Sequence, residues 1–328
     1  MFTPILIFYN TRKLILFVLG LSLSDDSAAC DRECSILQLQ NDLKSNKLST
    51  RFREVPQYFS DCKTAEMGHN SDKNRYTDIL PYDTTRYRLQ SKSDYINGNH
   101  VIMHVGGGHV HKWIATQGPM ANTINDFWKM VMESETELIV MVTELLQNNR
   151  EKSAKYWPKL NMAMQISDLA VVRTVLEIKT NDGVIEREFE IESSNTCGDT
   201  FHRTIKHLQF IDWPDHGVPN HSSNFLSFFR TMQNYQTEHH PTIIHCSAGV
   251  GRTGVTIGLA AVTSLLEHGL PVDPIETVYA MRRQRACLIQ TTEQFLFLCN
   301  IVIQLHESMQ HDGLTLENNN NEIKHIEL

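Results

Sequence analysis

The stretch Ile243-Ile244-His245-Cys246-Ser247-Ala248-Gly249-Val250-Gly251-Arg252-Thr253-Gly254 holds the most specific chemistry in the chain. An apolar run delivers a cysteine, five small or apolar residues follow, and an arginine opens what reads as a helix. The backbone N–H groups of Ser247, Ala248, Gly249, Val250 and Gly251 can converge on one tetrahedral anion, because the glycines permit a tight turn and the helix start adds its positive end. Arg252 offers a bidentate fork for two of the anion's oxygens. A thiol under that combined field drops below its ordinary pKa of about 8.5, which makes Cys246 a thiolate nucleophile near neutrality. A lone cysteine after a strand is more often a small core residue. Here the Cys-x5-Arg spacing outweighs that reading, and no Lys-Ser/Thr follows the glycines as a nucleotide-binding loop would require.

A thiolate that attacks phosphorus needs a proton donor for the departing oxygen. Asp212-Trp213-Pro214-Asp215-His216-Gly217-Val218-Pro219 reads as a loop, with Asp215 the candidate acid. A bare Pro-Asp pair is otherwise an ordinary solvated turn.

These groups need a scaffold, and the patterning predicts a mixed α/β one. Glu137–Thr143 is a near-continuous apolar run, expected of a strand covered on both faces. Arg187–Ile191, Thr204–Phe210 and Thr242–His245 are shorter strand candidates. Helices are predicted over Phe225–Tyr235, over Gly254–His268 with Gly269 as the stop, and over Thr292–Glu307. No repeat or composition break divides residues 50–310, so one domain is expected.

The chain has 328 residues, 41% of them hydrophobic, and a formal charge of -8. That balance excludes collagen-like and wholly disordered classes and leaves no general basic field for nucleic acid, so any anion site must be built locally. The odd, dispersed set of seven cysteines matches neither a disulfide framework nor a paired zinc motif. Leu14–Leu23 is an apolar run behind Arg12-Lys13 and ahead of Ser27-Ala28-Ala29, the order of a secretory signal, yet ten residues cannot span a bilayer. The expected division is therefore a leader-like segment over 1–29, a catalytic domain over 30–310 and a polar, flexible tail over 311–328. Dispersed cysteines and an oxidisable nucleophile favour a cytoplasmic location over the secretory pathway. So does the sequon Asn220-His221-Ser222, where a glycan would crowd the Asp215 loop.

Taken together, the motifs resemble those of the tyrosine-specific, cysteine-based protein phosphatases over roughly Arg51 to Gln304. Lys73 to Leu80 (KNRYTDIL) is similar to the family's phosphotyrosine-recognition loop. Asp94 to Asn99, Trp113 to Pro119, Asp126-Phe127-Trp128, Tyr156-Trp157-Pro158, the Trp213-Pro214-Asp215 loop, the Cys246–Arg252 cradle and Gln290 to Gln294 follow in the family's order. The resemblance implies a twisted mixed central sheet flanked by helices, and hydrolysis of phosphotyrosine in proteins or peptides through a phosphocysteine on Cys246. It implies that Arg252 and the Ser247–Gly251 backbone hold the phosphate, and that Asp215 serves as acid and then base. Gln290 and Gln294 would place water, Thr253 would help the thiolate leave, Tyr76 would wall a deep slot, and Asp78 would grip peptide backbone. It implies no metal or other cofactor, no nucleic-acid partner and no stable membrane insertion. The compact chain is also similar to the virus-encoded phosphatases of parasitoid-wasp polydnaviruses.

Three positions depart from the family pattern. Gln147 stands where an acidic residue usually steadies the cradle arginine, so Arg252 is expected to be held less firmly unless Glu144 or Glu151 substitutes. Ser153 replaces a cysteine, and Cys287 occupies a gate position that is often glycine, which predicts narrower access beside the slot. Two further clusters have ordinary explanations. His104, His109 and His111 lack a Cys or carboxylate to complete a metal set. Arg282-Arg283-Gln284-Arg285 reads as a helix end bordering the cleft rather than a nucleic-acid patch.

Overall fold

The computed structural model describes residues 25–326 except 106–107, 169, 195–198 and 216, with side chains described from residue 31 to residue 310. Its centre is a sheet in the order β1-β2-β3-β11-β4-β10-β9-β8-β7. These strands are β1 (Arg86–Arg88), β2 (Tyr95–His104), β3 (Val110–Thr116), β4 (Leu138–Met141), β7 (Ala163–Ser167), β8 (Ala170–Lys179), β9 (Val184–Ser194), β10 (Thr200–Phe210) and β11 (Thr242–His245). A separate hairpin pairs β5 (Leu146–Gln147) with β6 (Arg150–Glu151). The middle of the sheet, β3-β11-β4-β10, is parallel, and the wings are antiparallel. This is the mixed α/β sheet expected.

The strand that delivers the cysteine lies at the heart of that parallel section. Ile243 of β11 enters the core on one face of the sheet, with Trp128, Tyr156 and Phe189, and Ile244 enters the core on the other, with Val140, Val255 and Leu298. Both isoleucines are fully buried, a contribution of about 1.5–3 kcal/mol each to holding the strand in place. All four residues of β4 are buried as well, as a strand covered on both faces requires. Ligands in such sheets bind beyond the carboxyl ends of the parallel strands, and Cys246 follows the last residue of β11.

Helices cover both faces. The N-terminal part supplies α1 (Asp25–Lys44), α2 (Lys47–Glu54) and α3 (Lys63–Glu66), and α4 (Ile124–Glu133) follows β3. The remaining helices are α5 (Ser222–Tyr235), α6 (Gly251–Glu267), α7 (Pro274–Arg282) and α8 (Thr292–Ile326). Phe225, Phe228, Phe229 and Met232 give α5 its buried stripe, at the i, i+3, i+4, i+7 spacing of an amphipathic helix. Helix α6 is buried from Thr253 to Leu266 and stops where Gly269 adopts a left-handed φ of +67°. Asp273 caps α7 by accepting the Ile275 N–H at 2.8 Å, with Pro274 at the first helical position.

Two boundaries differ from the sequence expectation. Strands β9 and β10 extend past Arg187–Ile191 and Thr204–Phe210 because their antiparallel ladder runs unbroken from Thr200↔Ser194 to Phe210↔Val184. That ladder carries Glu186, Glu188, Glu190 and Glu192, whose polarity hides the strand from a hydrophobicity reading. The backbone of α8 is helical past Glu307 to Ile326. Among the described residues, no helix is long and apolar enough to cross a membrane. The leader-like run Leu14–Leu23 lies outside the described residues.

Candidate active site

The cradle is shaped from behind by one arginine. Gly249 has φ +71°, and a Cβ there would collide with the carbonyl of Thr116, so only glycine fits the turn. Arg285, fully buried, donates from Nε to the Gly249 carbonyl at 2.9 Å and from Nη2 to the Ala248 carbonyl at 3.0 Å. Its remaining donors reach Asn99 Oδ1 at 2.7 Å and Asn97 Oδ1 at 2.9 Å. In a trans peptide the N–H points opposite to the C=O, so capturing these carbonyls turns the Gly249 and Val250 N–H groups to the other side. Helix α6 starts at Gly251 and adds its positive end there.

Cys246 is 5% exposed at the floor of this cradle. Burial alone would push its thiol up, but the Thr253 hydroxyl, the Arg252 guanidinium and the backbone N–H groups of Thr253 and Val250 outweigh burial and hold it below the ordinary value. Thr253 is fully buried, and its Oγ1 makes no hydrogen bond to nitrogen or oxygen. His245 adds no charge: burial holds its pKa at about 4. Its Nδ1 donates to the Cys246 carbonyl at 3.1 Å, so Nε2 of the neutral ring accepts from the Tyr156 hydroxyl at 2.8 Å.

Arg252 is fixed by four acceptors. Nη1 donates to Thr143 Oγ1 at 3.1 Å and to the Val142 carbonyl at 3.4 Å, while Nη2 donates to Gln147 Oε1 at 2.9 Å and to the Pro214 carbonyl at 3.0 Å. Gln147 therefore orients the arginine itself, through a neutral amide oxygen. Of the two acids considered as substitutes, Glu144 lies behind Gln147 and accepts from its Nε2 at 3.2 Å, and Glu151 pairs with Arg75 at 3.2 Å.

The acid loop is folded over the cradle. Asp215 is ion-paired with Lys152, accepts from Asn148 Nδ2 at 3.0 Å, and lies 4.0 Å from Arg252 Nη2. Trp213 is buried edge-on against Phe225 and Phe297 and donates from Nε1 to the Gly217 carbonyl at 3.1 Å. Asp212, at the near end of the loop, accepts from Asn224 at 2.8 Å.

Tyr76 stands over the cradle, its hydroxyl 2.9 Å from Ser247 Oγ, and Asp78 is exposed beside it. Arg75 ties this loop down by donating to the carbonyls of Gly118, Pro119 and Glu151. Gln294 is folded against Gly251, and its Oε1 accepts the Gln290 N–H at 3.0 Å. The side chain of Gln290 is exposed. Cys287 is buried at φ +59°, its N–H donating to the Gln57 carbonyl at 3.0 Å and its sulfur 3.6 Å from Gln57 Oε1. A side chain thus fills the gate position.

Sequence reasoning missed three residues and placed one cluster too far out. Asn148 and Lys152 hold Asp215 from the β5–β6 hairpin, and Arg285 backs the cradle. Arg282 is buried too, donating to the Leu288 and Ile289 carbonyls at 3.0 and 2.7 Å, so two of the three arginines read as bordering the cleft are internal struts. The histidines disperse: His109 pairs with Glu238 and packs its ring at a tilt against His268, and His111 bonds Ser264 at 2.8 Å. Among the described residues no group of three or more His, Cys, Asp or Glu could hold a metal ion.

A family model described as protein-tyrosine phosphatase matches residues 70–304. Human tyrosine-protein phosphatase non-receptor type 4 is 35% identical over 291 residues, which cover 87% of this chain and 31% of that protein. Tyrosine-protein phosphatase 1 of Caenorhabditis elegans is 39% identical over 248 residues, covering 74% of this chain and 23% of that protein. Rat tyrosine-protein phosphatase non-receptor type 20 is 36% identical over 290 residues, covering 87% and 66%. The chain thus spans about a third, a quarter and two thirds of these relatives. Because the family model matches well over half of the chain, the chain belongs to the protein-tyrosine phosphatase family.

Proposed function

We propose that the protein hydrolyses phosphotyrosine in proteins or peptides through a phosphocysteine intermediate. The Cys246 thiolate attacks phosphorus as the bond from phosphorus to the tyrosine oxygen breaks, and Asp215 gives that oxygen its proton. Water then attacks the phosphocysteine with Asp215 as base, the sulfur–phosphorus bond breaks, and inorganic phosphate leaves. Thr253 donates to the departing thiolate, and Gln294, with Gln290, positions the water. Phosphoryl transfer asks mainly for positioning and charge stabilisation, which Arg252 and the cradle N–H groups supply, so the reading invokes no metal.

The observation that carries this reading is a thiol at the floor of a loop braced by Arg285, held below its ordinary pKa by the Thr253 hydroxyl, the Arg252 guanidinium and backbone N–H groups. Tyr76 supports the choice of substrate, since a wall at that height admits an aryl phosphate and leaves a phosphoserine short of the sulfur. The test is turnover of matched phosphotyrosine and phosphoserine peptides: selective hydrolysis of the first supports the reading, and equal rates contradict it.

We also infer a cytoplasmic place of action. The dispersed thiols Cys62, Cys246, Cys287 and Cys299 are unpaired, which suits a reducing compartment. Cleavage near Ala29 together with a glycan at Asn220 in eukaryotic expression would instead mark the secretory pathway.

A further inference from the structure

We propose that His207 is a positioning residue for the nucleophile: held in one tautomer by Arg187, it directs a one-way chain of hydrogen bonds through Tyr156 that locks His245 onto the Cys246 carbonyl. The inference rests on the phosphatase reading of this site and adds to it a part that lies in the core.

His207, Tyr156 and His245 are fully buried. His207 stands on β10 opposite Ile139 of β4, and His245 stands on β11 opposite Met141 of the same strand. The Tyr156 hydroxyl bridges the two rings across β4, 2.8 Å from His207 Nε2 and 2.8 Å from His245 Nε2. Beyond His207 lies its ladder partner on β9, Arg187, whose Nη1 is 3.3 Å from His207 Nδ1. Arg187 is itself fixed. Its Nε donates to Glu177, and Nη1 also donates at 2.9 Å to Oε1 of Gln209, an amide oriented by the 2.9 Å bond from its Nε2 to the Thr143 carbonyl. Trp157 and Phe189 pack against His207 with ring centroids 5.1 and 5.2 Å away.

The two ends of this chain set its direction. A guanidinium only donates, so His207 Nδ1 is bare and its proton sits on Nε2. A carbonyl only accepts, so His245 Nδ1, 3.1 Å from the Cys246 oxygen, carries the proton and Nε2 is bare. Both rings are neutral: burial, ahead of the Arg187 charge, holds His207 well below the ordinary histidine value, and burial holds His245 at about 4. Tyr156 has one proton and two lone pairs, so it accepts from His207 and donates to His245. Every proton from Arg187 through His207, Tyr156 and His245 to the Cys246 carbonyl points the same way, and the two histidines are opposite tautomers.

The other tautomer of His245 would set a bare Nδ1 against the carbonyl oxygen of the nucleophile and push that peptide away. His207 opposes this by donating to the Tyr156 oxygen from behind, which leaves the hydroxyl proton for His245 alone. In a low-dielectric interior successive bonds of such a chain polarise one another, so the charge on Arg187 strengthens the last link as well as the first. Cys246 thereby keeps the place at which the Thr253 and Val250 N–H groups reach its sulfur.

The experiment reads the ring nitrogens of the full chain, labelled in its histidines, by NMR. Wild type is expected to carry the His207 proton on Nε2 and the His245 proton on Nδ1. In parallel, Cys246 alkylation by iodoacetate against pH and inorganic phosphate affinity are measured for wild type, His207→Leu, which fills space without a donor, and His207→Gln, whose amide can donate to Tyr156 and accept from Arg187. His207→Leu is expected to move the alkylation profile to higher pH and to weaken phosphate binding by about 2- to 10-fold, the effect of losing one neutral hydrogen bond. His207→Gln is expected to restore both. Either histidine in the other tautomer in wild type, His207→Leu equal to wild type, or His207→Gln no better than His207→Leu overturns the proposal. The wild-type tautomers decide it by themselves should His207→Leu not fold. A wild type with the expected tautomers that does not turn over phosphotyrosine peptide would count against the phosphatase reading while supporting the chain of hydrogen bonds.

Discussion

Arg285 Nε lies 2.9 Å from the carbonyl oxygen of Gly249, so the residue that bends the phosphate cradle is held by a guanidinium with no access to solvent. The acceptors Ala248, Asn97 and Asn99 take its other donors. The cradle is therefore a loop braced from within the protein.

Arg285→Lys keeps the charge but cannot reproduce the fork, leaving at least one of the four buried acceptors unsatisfied. It should cost about 2–4 kcal/mol of stability by urea titration, with phosphate affinity falling as the cradle loosens.

Thr253→Val tests the electrostatics of the nucleophile. The Cys246 thiol is held below its ordinary value partly by the Thr253 hydroxyl, so deleting that donor raises it. The thiolate then appears only at higher pH, and the rate of Cys246 alkylation by iodoacetate should rise later on the pH axis than in wild type. An unmoved alkylation profile would mean that Arg252 and the backbone suffice.

Tyr76→Ala removes the wall whose hydroxyl lies 2.9 Å from Ser247 Oγ. Selectivity for phosphotyrosine over phosphoserine peptides, measured as the ratio of kcat/KM, should fall by about 2- to 10-fold, mostly through loss on the phosphotyrosine side, given that an aromatic pair is worth about 0.5–1.5 kcal/mol beyond its area.

The chemistry of the site was legible in the sequence where its parts are neighbours in the chain. Cys246 to Arg252 is contiguous, and the glycines, the arginine and the following helix announce one another. Trp213-Pro214-Asp215 was legible as a loop for the same reason. The supports were not. Gln147 meets the Trp213 carbonyl across 66 positions, and Arg285 reaches Asn97 across 188. Bonds of this kind join a side chain to a distant backbone group or amide and leave no periodicity to read. Arg282 and Arg285 also inverted a usual rule, since buried arginines look like surface charge until the carbonyls that pair them are known. Among the strands, the all-apolar β4 was plain and the glutamate-rich β9 was read short, because its pairing with β10 is backbone work to which side-chain polarity is indifferent.

Asp215, the proposed acid, is ion-paired with Lys152, accepts from Asn148 at 3.0 Å and lies 4.0 Å from Arg252 Nη2. Asp215→Ala should then lose about 10²- to 10⁴-fold in kcat on a phosphotyrosine peptide, the usual worth of a positioned acid, while peptide affinity is kept.

The most direct test of the mechanism is a rapid-quench experiment with a phosphotyrosine peptide labelled on phosphorus, run on wild type and on Cys246→Ser. The account predicts a transient covalent label on wild type, stable in alkali and labile in acid as a sulfur–phosphorus bond is, carried by the peptide fragment containing Cys246. It predicts no label and no turnover in Cys246→Ser, which should still bind the peptide. Near-wild-type turnover by Cys246→Ser, or label found on another residue, would contradict it.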